Sequence, residues 1–371
     1  MKRGIIVFLA ASVVGAASAA EWTDNVKVKG DLRYRHEVLD RNSDTSPARN
    51  RQRLRARLAI EGRVSETAKV VVGLASGSDD PVSTNQTLGE SFTTKNLGLD
   101  LASLMYRPAR LSFLTLTAGK MEKPFIIPGH SELQWDGDLN PEGAAAALEH
   151  NFEKLTLAAV VSGLWIQERS KTKDSWLGSG QVSARLSLNE DKSGLLVGAG
   201  YFDYQNIKGF PLFYDEEDAF GNSAVEAQFG GETVNVYAHD YNIVEAFVEL
   251  THPLGAVPAA LFGHYVNNIE ADSLNAGWSL GASAGKIKNP GSWTVRYVYR
   301  ELEADAVVGA YTDSDLGEGG ANASGHEVSA ACQVAGNTTF SATYFYNTIG
   351  IGASDKAEYL NRLQVDLQLK F

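Results

Sequence analysis

Leu363-Gln364-Val365-Asp366-Leu367-Gln368-Leu369-Lys370-Phe371 closes the chain, and its reading decides the fold. Leu363, Val365, Leu367, Leu369 and Phe371 alternate with Gln364, Asp366, Gln368 and Lys370. Successive strand residues point to opposite faces, so this segment has one apolar and one fully polar face. The pattern recurs upstream. Leu54, Ala56, Leu58 and Ile60 alternate with Arg51, Arg53, Arg55 and Arg57, and Val182, Ala184, Leu186 and Leu188 with Gln181, Ser183, Arg185 and Ser187. In the first such run, Val26, Val28, Leu32 and Tyr34 oppose Lys27, Lys29, Asp31, Arg33 and Arg35.

Runs of this kind give sixteen candidate strands, from 26–37 to 359–371. The links after even strands are short, such as Ser65-Glu66, Phe152-Glu153 and Ala335-Gly336. Those after odd strands are mostly long: 38–50, 78–96, 121–142, 165–173, 205–239, 304–324 and 348–358, with 269–273 the exception. A soluble sandwich, the alternative all-β solution, has no reason to alternate tight and long connections. A transmembrane antiparallel β-barrel does, with short periplasmic turns and long outer loops. An even strand number and strands of about 10 residues fit the same architecture. A closed barrel also satisfies every backbone group without an edge, so its apolar faces can meet lipid. The expected object is a barrel oily outside and wet within. Trp165, Trp176, Trp278, Trp293 and Tyr201 near strand ends suit interfacial girdles.

Composition bounds the rest. The 371 residues carry 33 Lys+Arg against 45 Asp+Glu, a formal charge of −12, which disfavours nucleic acid as a partner. A single Cys excludes a disulfide framework and any multi-cysteine metal centre. Lys2-Arg3, the apolar Ile5 to Val14 and Ala17-Ser18-Ala19 read as a signal peptide over 1–19, cleaved after Ala19 with Ala20 as the alternative. The barrel then occupies 20–371 as a single domain.

Four arginines at spacing two, Arg51, Arg53, Arg55 and Arg57, share one strand face and stand about 6.5–7 Å apart. Against lipid each costs roughly 2–4 kcal/mol near the midplane, so the lumen is their expected side. Arg33 and Arg35 point the same way by alternation. Like charges this close repel, so acidic partners or anions are expected opposite. The third long link offers Glu122, Glu132, Asp136, Asp138 and Glu142. Acids in 205–239 and 304–324, Asp313 and Asp315 among them, read instead as surface charges, and no metal or cofactor is expected. Gly281-Ala282-Ser283-Ala284-Gly285 matches the serine-hydrolase elbow but lies inside an alternating strand rather than at a strand–helix turn. No enzymatic activity is expected.

Four stretches stand out: Gly30-Asp31-Leu32-Arg33-Tyr34-Arg35, Gly119-Lys120-Met121 leading to Pro124-Phe125, Asp136-Gly137-Asp138-Leu139-Asn140-Pro141-Glu142-Gly143, and Asp313-Ser314-Asp315 before Gly317 to Gly320. On these the sequence resembles a bacterial outer-membrane porin, specifically the putative porin family, over essentially the whole mature chain. Phe371 after an alternating strand resembles the sorting signal read by the outer-membrane insertion machinery. The resemblance implies a sixteen-stranded barrel in the bacterial outer membrane, passive diffusion of small hydrophilic solutes and ions, and a homotrimer. It also implies that loop 121–142 folds into the lumen as a constriction, its carboxylates facing the basic wall. A solute-specific channel for anions such as phosphate is the alternative, followed by a non-channel surface barrel.

Overall fold

The computed structural model describes residues 25–41, 47–188, 193–352 and 357–371. The expected leader 1–19 lies outside them. Sixteen strands form one closed antiparallel barrel. In chain order these are β1 Val26–Asp40, β2 Arg49–Arg63, β3 Ala68–Ser76, β4 Leu97–Tyr106, β5 Leu114–Lys120, β6 Glu142–Asn151, β7 Leu155–Gln167 and β8 Ser175–Leu188. The second half is β9 Ser193–Gln205, β10 Tyr241–Leu254, β11 Val257–Asn268, β12 Ala276–Gly285, β13 Trp293–Leu302, β14 Ala323–Ala335, β15 Thr338–Ile349 and β16 Glu358–Lys370. Each strand pairs with its chain neighbours, and β1 pairs with β16 from Asp31↔Lys370 to Asp40↔Asn361. Among the described residues no helix is long and apolar enough to cross a membrane.

The seam is sealed at one end by reciprocal backbone bonds between Gly30 and Phe371, each 3.0 Å. Glycine is required there. A Cβ on residue 30 would stand 2.4 Å from the Phe371 ring and 2.6 Å from the Arg57 carbonyl oxygen.

The alternation sets the two surfaces. Outside, Val28, Leu32 and Tyr34 of β1 and Leu363, Leu367 and Leu369 of β16 are exposed, as an apolar wall facing lipid must be. Inside, Asp31, Arg35, Glu37, Arg362, Gln364 and Asp366 are buried. Strands β1 and β2 run three and two residues further than expected, which shortens their connection to 41–48.

One expectation is corrected. The interior is not wet throughout, because three long connections, 77–96 aside, fold inward and pack there. Trp135 and Phe125 from 121–141, Phe213 and Tyr237 from 206–240, and Tyr311 from 303–322 join an aromatic cluster with Phe202 of β9 and Tyr241 of β10. The ring centroids lie 5.1–6.5 Å apart, the range in which aromatic pairs attract. Ala306, Val307 and Val308 fill in around them, each at most 1% exposed. Burying so much apolar surface in the lumen is favourable for the reason a soluble core is: it leaves water. Asp305 ties the pieces together by accepting from Tyr241 Oη (2.8 Å) and from the Ser223 amide and hydroxyl (3.0 and 2.6 Å).

Candidate functional site

The antiparallel register of β1 and β2 sets Asp31 opposite Arg57, Arg33 opposite Arg55, Arg35 opposite Arg53 and Glu37 opposite Arg51. Directly opposed like charges are unfavourable, so the two arginine pairs depend on the acids that bracket them. Asp31 accepts from Arg55 (2.9 and 3.1 Å) and from Nε of Arg57 (2.7 Å). Glu37, fully buried, accepts from Arg51 Nε at 2.7 Å and lies 3.7 Å from Arg53. These charges share the inward face, opposite Val28, Leu32 and Tyr34.

Two further carboxylates come from distant sequence. Asp366 on β16 takes a bidentate bond from Arg35, both distances 2.8 Å. Such forked pairs are the strong ones and fix geometry as well as charge. Asp315 from loop 303–322 pairs with Arg362, accepts from Gln364 Nε2 (2.8 Å) and lies 3.6 Å from Arg35. Burial works to raise the Asp315 carboxyl, but Arg362 and Arg35 overcome it and hold it below the ordinary aspartate range. Sequence reading placed Asp313 and Asp315 on the surface; the structure places Asp313 against buried Arg300 and Asp315 in this cluster.

Of the five loop acids expected opposite the ladder, Asp138 alone is ion-paired with it among the described residues, while Glu142 pairs with Lys120. The Oδ1 of Asp138 lies 3.4 Å from Arg55 and 3.3 Å from Arg57, and its Oδ2 accepts from the Thr84 hydroxyl at 2.9 Å. Burial raises this carboxyl too, yet Arg55 and Arg57 hold it low. Asp136 turns away, accepting from the backbone amides of Asp138 (2.7 Å) and Ser314 (2.9 Å). Burial, then Asp313 and Asp138, push the Asp136 carboxyl well above its ordinary value. Glu132 lies near Asp313 and Arg300 rather than the ladder, and burial followed by Asp313 pushes it up as well. Glu122 is exposed at the other side of the loop. It helps line a cavity of about 540 Å³ with Lys29, Arg57, Lys123, Asp138 and Lys370.

Loop 121–141 is pinned to the opposite wall. Gln181 of β8 bonds the Ile126 amide (2.8 Å) and carbonyl (3.0 Å), and Glu249 of β10 accepts from the Gly129 amide (2.8 Å). Arg296 and Arg300 of β13 donate to the carbonyls of Gly129, His130 and Ser131. Gly129 has a positive φ of 53°, and a Cβ there would strike the Phe262 ring at 2.2 Å.

A chain of bonds unseen in the sequence runs from Ser131 Oγ to His264 Nδ1 (2.9 Å) and from His264 Nε2 to Glu245 (2.7 Å). The order resembles a hydrolytic triad. Ser131 is 0% exposed, and the chain ties loop 121–141 to β10 and β11.

A sixteen-stranded barrel with inward loops and a charged wall defines a porin-type transmembrane barrel. The profile of the family described as "Putative porin" matches residues 39–218 and 216–371, and the chain belongs to that family. A comparison with curated proteins gave no match. Among solved structures, the chain is similar to Pseudomonas putida OprB in its high-pH structure, with a TM-score of 0.59, 9% identity, and coverage of 95% of this chain and 96% of that one. Salmonella typhi OmpF in complex with daunomycin gives a TM-score of 0.54 at 12% identity, covering 94% and 98%. A loop-deletion mutant of OmpT, an outer membrane protein of Vibrio cholerae, gives 0.50 at 12% identity, covering 93% and 99%. At such identities the likeness is one of fold.

Proposed function

We propose that the chain is a passive channel of the bacterial outer membrane through which small hydrophilic solutes and ions diffuse, working as a homotrimer. The observation that carries the reading is Asp138 of loop 121–141 facing Arg55 and Arg57 within a closed barrel. Fixed charges of both signs lining a narrow lumen set up a local field, which favours dipolar solutes and hinders apolar ones. Arg33, Arg35, Arg51, Arg53, Arg55 and Arg57 form the basic wall in this reading. Asp138 is the acidic side of the constriction, while Glu122, Glu132 and Asp136 shape the loop around it. The ladder accounts for the choice of solute by charge, and Phe371 at the sealed seam serves as the sorting signal for insertion. The apolar packing of the opposite half narrows the path to the charged side.

Purified protein in planar bilayers is expected to give ohmic conductance steps. Replacing Arg53, Arg55 and Arg57 together by Ala is expected to move the reversal potential toward cations. Absence of steps overturns the channel; an unchanged reversal potential with steps present overturns the role of the ladder.

A further inference from the structure

Along most strands the outward wall exposes Leu, Val and Tyr, but over β10 to β14 it steps back. Two rows of paired residues cross it there. One runs through His252, Ala259, Ala284 and Val295. The other runs through Leu250, Leu261, Ala282, Tyr297 and Val328. Ala259, Ala282 and Ala284 form a floor, and the larger side chains stand around it as walls. The result is a trough of about 690 Å³ on the outside of the barrel.

Its position says what fills it. His252 is next but one to the end of β10 at Leu254, whereas Val328 sits midway along β14. The trough therefore starts at the edge of the short turns and climbs toward the middle of the wall. From β10 to β14 it crosses four inter-strand spacings of about 4.8 Å, or about 19 Å. With strands tilted about 45°, that is a rise of about 13 Å, close to half of the roughly 30 Å hydrocarbon core. One leaflet has that depth. A hydrocarbon chain lying in the trough touches protein on three sides, and dispersion attraction grows with the number of contacts. A flat wall offers one side only.

The short-turn end is cationic. Lys286 and Lys288 follow β12 directly and are exposed, and His252 forms a corner of the trough, hydrogen-bonded to Ser193 Oγ at 2.6 Å. Connections 255–256, 286–292 and 336–337 hold no acid, in a chain whose net charge is −12. Trp293, exposed at the first position of β13, is the residue type that settles at headgroup depth. Basic side chains at that depth attract anionic lipid.

We propose that this trough seats one acyl chain of an anionic glycerophospholipid, with its phosphate against Lys286, Lys288 and His252. Such binding needs only the lipid-facing wall and is independent of conduction.

The test uses the full chain, purified in detergent, stripped of lipid and titrated with phosphatidylglycerol or phosphatidylcholine. Bound lipid is counted by native mass spectrometry. One phosphatidylglycerol per chain is expected to bind first, about tenfold more tightly than phosphatidylcholine. Ala282→Trp fills the trough and is expected to weaken that first binding about tenfold. Ala144→Trp, on the exposed outward face of β6, is expected to change it less than about twofold. The double variant Lys286→Gln/Lys288→Gln leaves the barrel wall intact and is expected to weaken it about tenfold. Equal binding of the two lipids, or binding unchanged by the lysine variant, overturns the headgroup contact. Binding unchanged by Ala282→Trp overturns the seat in the trough. If that variant instead breaks an oligomer apart with lipid binding unaltered, the trough is a contact between copies of the chain, and the lipid site falls. Should Ala282→Trp not fold, Ala284→Leu takes its place with the same expected direction.

Discussion

Along β1, β2 and β16 the inward positions are mostly guanidinium and carboxylate groups, whereas along β9 and β10 they include Phe202, Tyr204, Tyr241 and Ile243. The backbone is the same closed ladder on both sides. What differs is what each wall meets. The charged wall meets loop 77–96, Asp138 and Asp315, each with a polar atom to offer. The apolar wall meets Trp135, Phe213 and Tyr311. A barrel of this size can therefore hold a soluble-type core and a charged surface in one lumen, provided the loops sort themselves by chemistry.

The contrast can be broken most directly on the apolar side. Trp135→Ala removes a 4% exposed ring from the centre of the cluster and is expected to cost about 3–5 kcal/mol, read by denaturant unfolding in detergent. Conductance noise should rise with it, because loop 121–141 loses its anchor. A silent substitution would mean that the cluster does not hold the loop. On the charged side, Asp31→Asn should cost about 2–3 kcal/mol in the same assay. That is less than a fully isolated buried pair, since Asp138 remains to serve Arg55 and Arg57. Equal losses at the two sites would erase the distinction drawn here.

A smaller effect sits where the halves meet. Gly129→Ala places a Cβ against Phe262 at a positive φ and is expected to cost about 1–2 kcal/mol and to broaden the distribution of conductance steps. A single sharp conductance level would argue that the loop tolerates a shift there. The smallest effect is a pH dependence. Burial and mutual crowding raise the carboxyls of Glu132, Asp136 and Asp313. The folded protein then binds more protons than the unfolded chain at pH values between the ordinary carboxylate range and the raised ones. Stability contributed by these groups is present at low pH and lost as pH rises through that interval. The melting temperature is expected to fall from pH 5 to pH 8, and Glu132→Gln to flatten the slope. A melting temperature that rises over the same interval would contradict the crowding.

The strands were legible because period two survives wherever one face meets lipid, and Arg51 to Arg57 show their side by charge alone. Asp138 was legible as a loop acid near a basic face. Asp31 and Glu37 were within reach too, since they share the phase of Arg33 and Arg35 in the same strand. Asp366 and Asp315 were not, because their approach to Arg35 depends on closure of the barrel between its first and last strands. The aromatic cluster escaped for a related reason. Most of its members come from three connections far apart in sequence, and a loop gives no periodicity to read. A signal did exist in Ala306-Val307-Val308, an apolar run too fully hydrophobic for an exposed connection.

Connection 206–240 has its own architecture, with Phe213 and Tyr237 packed inside and the span Tyr214 to Asp218 between them fully outward. Foreign peptide spliced at 215–218 would start and finish beside a fixed point, and lengthening a loop between fixed points costs little entropy. That makes the segment a natural mounting post for a tag or epitope on the intact barrel.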